Sequence, residues 1–274
     1  MPVDKAIKSG FADVPGARLY YERAGEGDPV LLLHGGLLDR RMWDGQFPFF
    51  TQHAQTIRSA MRCSGESQSL LSTEPCVPYQ DTSHLLQALS IQQATLVGLS
   101  GGARFAIDLA IASPEVVRKL VLVSPGLSGY EFVDTWTGQR AEELKMAVMQ
   151  GDLARAVEVF LVMWTDGPFR SPEQVDHATR ERIRAMATRS MELGALALPF
   201  RELEPPASGR LAEIQVPTLI VLGDRDTSDI QVIGHLLHQQ VAGSELMLMP
   251  GVGHALVMEK PAAFHVFVAQ CLRW

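Results

Sequence analysis

The chain has 274 residues, 46% apolar and 20% charged, with 23 glycines and 16 prolines, a composition that excludes disorder, collagen-like repeats and a coiled coil. Its formal net charge of −7 argues against an electrostatic nucleic-acid binder, and no apolar run approaches the roughly 18 residues of a membrane span. Three cysteines, Cys63, Cys76 and Cys271, lack metal-ligand spacing, so free thiols and a reducing, cytoplasmic compartment are expected.

In chain order, the opening MPVDKAIKSGFADV shows no apolar stretch of a secretory leader. Residues 18–22 and 30–33 read as strands, with residues 25–28 as a hairpin turn between them. Gln55–Ser59, residues 95–99 and residues 120–123 are further short apolar runs, and Phe105, Leu109 and Ala112 fall at helical spacing within residues 102–112. Strands alternating with helices predict an α/β fold with a mostly parallel sheet and flanking helices.

From residue 126 to 209 the strand signal stops. Helices are expected at residues 141–149, 153–164 and 172–191, the last opening on Ser171 as N-cap with Pro172 at the first helical position. Arg180, Arg182, Arg184 and Arg189, interleaved with Asp176 and Glu181, predict a solvated helix face. The β/α rhythm then resumes with a strand at residues 218–222, a helix at 230–239, a strand at Glu245–Met249 and a closing helix at Pro261–Leu272. The expected organisation is a core of residues 1–125 and 210–274, interrupted by a helical lid at 126–209.

Chemistry concentrates in the turns after strands. Gly98-Leu99-Ser100-Gly101-Gly102 matches G-x-S-x-G where a strand meets a helix, a turn that makes the serine project while glycines let backbone pass close by. The helix N-terminus sets free N–H groups beside that serine. A serine hydroxyl needs a base, and the base an orienting acid. Among eight histidines, His254 stands out in the turn Pro250-Gly251-Val252-Gly253-His254, with His34 as its rival in a different turn. For the acid, Asp226 in Gly223-Asp224-Arg225-Asp226 is preferred, because three loop residues carry it toward the histidine; Asp224 is the alternative acid, or else stabilises the turn locally. Two donors are needed for a tetrahedral oxyanion. Gly101 is expected to supply one N–H, and Gly36, in His34-Gly35-Gly36-Leu37, the other.

With these pieces in order, the sequence resembles the α/β-hydrolase family, through LLLHGGLLDRRMWDGQ, LVGLSGGARFAIDLA, LIVLGDRD and MPGVGHALVMEKP. The closest resemblance is to small bacterial esterases, enol-lactonases and cofactor-free haloperoxidase- or perhydrolase-like enzymes. That resemblance implies an α/β-hydrolase fold with an inserted helical cap. It implies Ser100 as nucleophile, His254 as general base and acid, Asp226 as orienting acid, and an oxyanion hole of Gly36 and Gly101. A carboxylic ester or lactone is the expected substrate, with no metal or organic cofactor. The alternatives are C–C bond hydrolysis or perhydrolysis on the same triad, or a non-catalytic ligand-binding protein. Leu37, Met163 and Trp164, with Met146, Met149 and Trp136, are expected to line an apolar substrate pocket. The small Gly36 favours a lactone or a branched ester. One departure is clear: relatives usually read Asp-x-Arg-Gly-x-Gly where this chain has Ala60-Met61-Arg62-Cys63-Ser64-Gly65.

Overall fold

A computed structural model describes residues 6–69 and 75–272; the first five residues of the stretch read for a leader lie outside them. Strands β1 (Lys8–Val14) and β2 (Ala17–Ala24) form an antiparallel hairpin about Pro15-Gly16. There follow β3 (Pro29–Leu33), α1 (Phe47–Phe50), β4 (Gln55–Ser59), β5 (Gln68–Ser69) and α2 (Pro78–Ala88). Next come β6 (Ala94–Leu99), α3 (Gly101–Ala112) and β7 (Val117–Val123). Helices α4 (Thr135–Met149), α5 (Leu153–Leu161) and α6 (His177–Glu192) precede β8 (Thr218–Gly223), α7 (Ser228–Gln240), β9 (Glu245–Met249), α8 (Leu256–Glu259) and α9 (Pro261–Leu272).

The strands make one sheet in the order β1-β2-β4-β3-β6-β7-β8-β9, with β5 against β2. From β4 to β9 every pairing is parallel, while β2 meets β1, β4 and β5 antiparallel. Parallel strands covered on both faces read as unbroken apolar runs, and the alternation is visible in the packing. Leu31, Leu33, Leu96, Leu120, Leu122, Ile220 and Leu222 enter the core beneath α2, α3 and α7. Val30, Leu32, Val97, Leu99, Val121, Val123, Leu219 and Val221 enter the opposite core, with Trp43, Phe50 and Phe264. No helix among the described residues is long and apolar enough to cross a membrane.

Three local expectations are corrected. Residues 25–28 do not close a hairpin, because β4 lies between β2 and β3; the hairpin is the earlier one at Pro15-Gly16. The helix expected at 172–191 is two pieces. A single turn, Pro172–Gln174, ends at the extended Val175, and Asp176 then caps α6 by accepting from Thr179 N at 2.7 Å. A short carboxylate beside free N–H groups starts a new helix more readily than it continues an old one. The helix expected at 153–164 stays α-helical only to Leu161 and then winds wider over Val162–Asp166, with Gly167 N bonded to Val162 O.

The arginines of α6 are not one solvated face. Arg180 is buried, with Nε 3.0 Å from Oδ1 of the equally buried Asp166, and also reaches Glu158. Arg184 meets Glu158 and Glu181, while Arg182 reaches across to Asp44. These pairs tie α5 and α6 together and to the segment after β3.

Candidate active site

Ser100 sits alone between β6 and α3, with φ 54° and ψ −113°. Its N–H donates to Val123 O at 2.9 Å, and its carbonyl accepts from Arg104 N and Gly126 N at 3.0 and 3.1 Å. The sharp turn depends on its glycines: a Cβ on Gly98 would lie 2.5 Å from Ala103 N, and one on Gly102 would strike the carbonyls of Leu33 and His34. With the backbone so confined, the serine side chain faces a cavity of about 630 Å3 at the C-terminal edge of the sheet.

His254 follows β9 and reaches the same cavity. Its Nδ1 lies 2.9 Å from Asp226 Oδ2, and both side chains are buried. Asp226 follows β8, and its other oxygen accepts from Thr227 N at 2.8 Å. Asp224 instead accepts from Gly251 N at 2.7 Å and is part-exposed, a turn stabiliser one strand-end away. The rival His34 is fully engaged elsewhere: Nδ1 is 2.8 Å from Gly35 O, and Nε2 accepts from Met61 N at 2.9 Å. Burial pushes its imidazole below the usual range, against the opposing Gly35 hydrogen bond and Asp39 charge. His34 therefore holds the Gly35–Gly36 loop rather than facing the cavity.

Gly36 and Gly101 face each other across the same cavity; a Cβ on Gly101 would lie 3.5 Å from Gly36 N. Gly101 opens α3, so its N–H has no partner within the helix. Leu37 and Trp164 line the cavity, with Leu127, Phe132, Leu144 and Ile183. Met163 does not. It is buried at 6% exposure, and in the wide turn Val162–Asp166 it is Trp164 and Thr165 that face the opening. Met146 and Met149 are exposed, and Trp136 packs under Arg140, none of them on the cavity wall.

Sequence reasoning placed Trp164 in the pocket but missed its contact with His254 and the ion pair behind it. The Trp164 ring lies 4.6 Å from the His254 ring, and Phe132 meets Trp164 edge-on. Arg170 pairs with Glu259 and donates to Thr165 O, while Glu259 also accepts from Gly253 N. This buried ion pair joins the wide turn carrying Trp164 to the turn carrying His254. Its partners lie 89 residues apart, so no local pattern announces it.

The loop that departs from relatives is built on other contacts. Cys63 adopts φ 53°, a conformation a glycine takes freely. Ala60 is wholly buried, and its carbonyl accepts from Ser67 Oγ at 2.6 Å, which in turn accepts from Tyr20 N. Nearby, burial pushes the Asp39 carboxyl up, but paired hydrogen bonds from Arg41 outweigh it and hold the group below its usual range. No group of three or more possible metal ligands occurs among the described residues.

Comparisons with known proteins agree with this architecture. A family model described as "Alpha/beta hydrolase family" matches residues 30–265. The chain is 28% identical over 260 residues to a pimeloyl-[acyl-carrier protein] methyl ester esterase of Pectobacterium carotovorum, covering 90% of this chain and 96% of that protein. It is 26% identical to a 2-hydroxy-6-oxononadienedioate/2-hydroxy-6-oxononatrienedioate hydrolase of Pseudomonas putida, covering 97% of this chain and 94% of that one. Among solved structures, a hydrolase from Pseudomonas aeruginosa PA01 superposes with a TM-score of 0.79 at 27% identity, covering 97% of this chain and 98% of its own.

Proposed function

The chain belongs to the alpha/beta hydrolase family, and from that premise we propose that it hydrolyses a carboxylic ester or lactone through an acyl-enzyme on Ser100. The observation that carries this reading is the His254–Asp226 pair at 2.9 Å, buried on the cavity that Ser100 faces from its turn. Ser100 Oγ attacks the carbonyl carbon while His254 Nε2 takes its proton. Asp226 holds Nδ1–H, fixing the tautomer and balancing the imidazolium. The oxyanion accepts hydrogen bonds from the N–H groups of Gly36 and Gly101. Collapse breaks the C–O bond, and His254 returns its proton to the leaving alcohol. Water, deprotonated by His254, then attacks the acyl-enzyme and regenerates Ser100. Residues 126–209 act as a cap supplying substrate walls.

Ser100→Ala is expected to abolish turnover with the fold intact, and a fluorophosphonate to label the wild type on Ser100 alone. Asp226→Asn is expected to lower kcat by roughly 10³–10⁴-fold, and Asp224→Asn far less. Labelling at another serine, or the reverse ranking of the two aspartates, refutes the mechanism.

The likeness to the Pseudomonas putida dioate hydrolase favours a second reading, C–C bond hydrolysis on the same residues. The cavity chemistry speaks for the ester. Its arginine, Arg104, is already paired with Glu202 at 2.9 Å, and Glu131 lies on the same wall, a poor setting for a dianionic substrate. Assaying the protein with neutral esters and with a 2-hydroxy-6-oxo-dienoate separates the two.

A further inference from the structure

We propose that a second cavity, of about 240 Å3 behind the Gly35–Leu38 loop, receives an unbranched, uncharged acyl chain of the substrate; this rests on the ester hydrolase reading. The two cavities share the walls Gly35, Gly36, Leu37, Leu38 and Arg104. A Cβ built on Gly36 meets nothing within 4 Å, so the space beside this residue is open where the two cavities adjoin. The side chains of the partition are Leu37, Leu38 and Arg104, the last with its guanidinium against Phe105 and Phe200 and paired with Glu202.

The second cavity has the chemistry of a hydrocarbon site. Leu33, Met61, Leu85, Phe105, Leu198 and Phe200 line it. Its charged groups are already paired, Arg62 Nε 2.6 Å from Asp81 Oδ2 and Arg104 with Glu202, so among the described residues it holds no unpaired cation for a carboxylate. Cys63 also lies on this wall, which makes the loop that departs from relatives part of the pocket.

The direction of the substrate follows from the proton. The leaving alcohol must receive it from His254, which lines the large cavity and not the small one. The alcohol arm therefore occupies the large cavity, and the acyl arm turns past Gly36 into the small one. At ~30 Å3 per water-sized group the small cavity has room for roughly eight such groups, hence a chain of about six to eight carbons.

The test is a series of p-nitrophenyl esters from acetate to dodecanoate. For the wild type, kcat/KM is expected to rise about fourfold per added methylene to about eight carbons and then level. Ala195→Trp and, separately, Leu198→Trp fill the small cavity from residues outside the catalytic machinery. Each is expected to keep acetate turnover within about twofold while losing at least tenfold on octanoate. A chain-length profile unchanged by both substitutions, or a flat wild-type profile, overturns the proposal. Octanamide binding to the Ser100→Ala protein, by calorimetry, provides a readout without turnover. Binding is expected, and is expected to vanish in the Ser100→Ala/Ala195→Trp protein. Failure to bind, or binding unaffected by Ala195→Trp, also overturns it. Hydrolysis of no ester by the wild type sinks the ester reading instead, and the binding arm still decides on the pocket.

Discussion

Asp108 lies inside α3, two turns beyond Ser100, and is 2% exposed. Burial pushes its carboxyl up to about 6, against the Ser128 hydroxyl that donates to it at 2.5 Å and the charge of Arg104. An unfolded chain holds this group near its usual 3.8, so between those two values the folded state binds more protons. Stability therefore falls as pH rises through that window and is level above it, with a loss on the order of 3 kcal/mol. Asp108→Asn keeps an acceptor for Ser128 and removes the charge. Its stability advantage over the wild type, from urea unfolding, is expected to be about 2 kcal/mol larger at pH 7.5 than at pH 4.5. An advantage independent of pH would show that the carboxyl is not held neutral by its surroundings.

Among the elements, the helices after β7 carry the largest gap between sequence and structure. Arg180 looks exposed in sequence because its neighbours alternate in charge, yet its partner Asp166 lies in the wide turn after α5, fourteen residues away. Arg180→Ala strands a carboxylate whose side chain is 1% exposed, and is expected to cost about 3 kcal/mol or more. Arg182→Ala, which breaks a pair 45% exposed on both sides, is expected to cost less than about 1 kcal/mol. Similar melting temperatures for the two variants would return Arg180 to the solvated face. The contrast shows what is legible. Strands β3, β6, β7 and β8 stand out because both faces are buried and the apolar runs are unbroken. Ser100, Asp226 and Gly36 stand out because each follows such a strand in a glycine-bearing turn, and His254 because its turn after the part-exposed β9 carries two glycines. Strand β1 hides because, as an edge strand, only Ala12 and Val14 are buried in it. The Arg170–Glu259 clamp hides because ion pairing across the chain leaves no periodic trace.

At the scale of the whole molecule, the net charge of −7 and the carboxylate of Glu131 on a cavity wall where Arg104 and Glu202 offset each other act in the same direction. Like charges lower the local concentration of an approaching anion, and low-dielectric walls focus that field. A p-nitrophenyl hemiglutarate is therefore expected to show kcat/KM about tenfold below that of the neutral pentanoate. Raising ionic strength from about 20 to 200 mM is expected to narrow the gap, because screening shortens toward ~10 Å and below. Equal rates for the two esters, or a gap indifferent to salt, would show that the field does not reach the reacting carbonyl.

The positive φ of Ser100, 54°, sets activity against durability. A serine in that region carries a strain of about 1–3 kcal/mol, while the same turn is nearly free for glycine. Ser100→Ala and Ser100→Gly lose the same hydroxyl but differ in this strain. The glycine variant is expected to melt higher than the alanine variant, and above the wild type itself. A lineage ranked on persistence alone would drift to glycine at this position, as its neighbours Gly98, Gly101 and Gly102 already have. Serine survives there only where losing what it does is costlier than the looser fold.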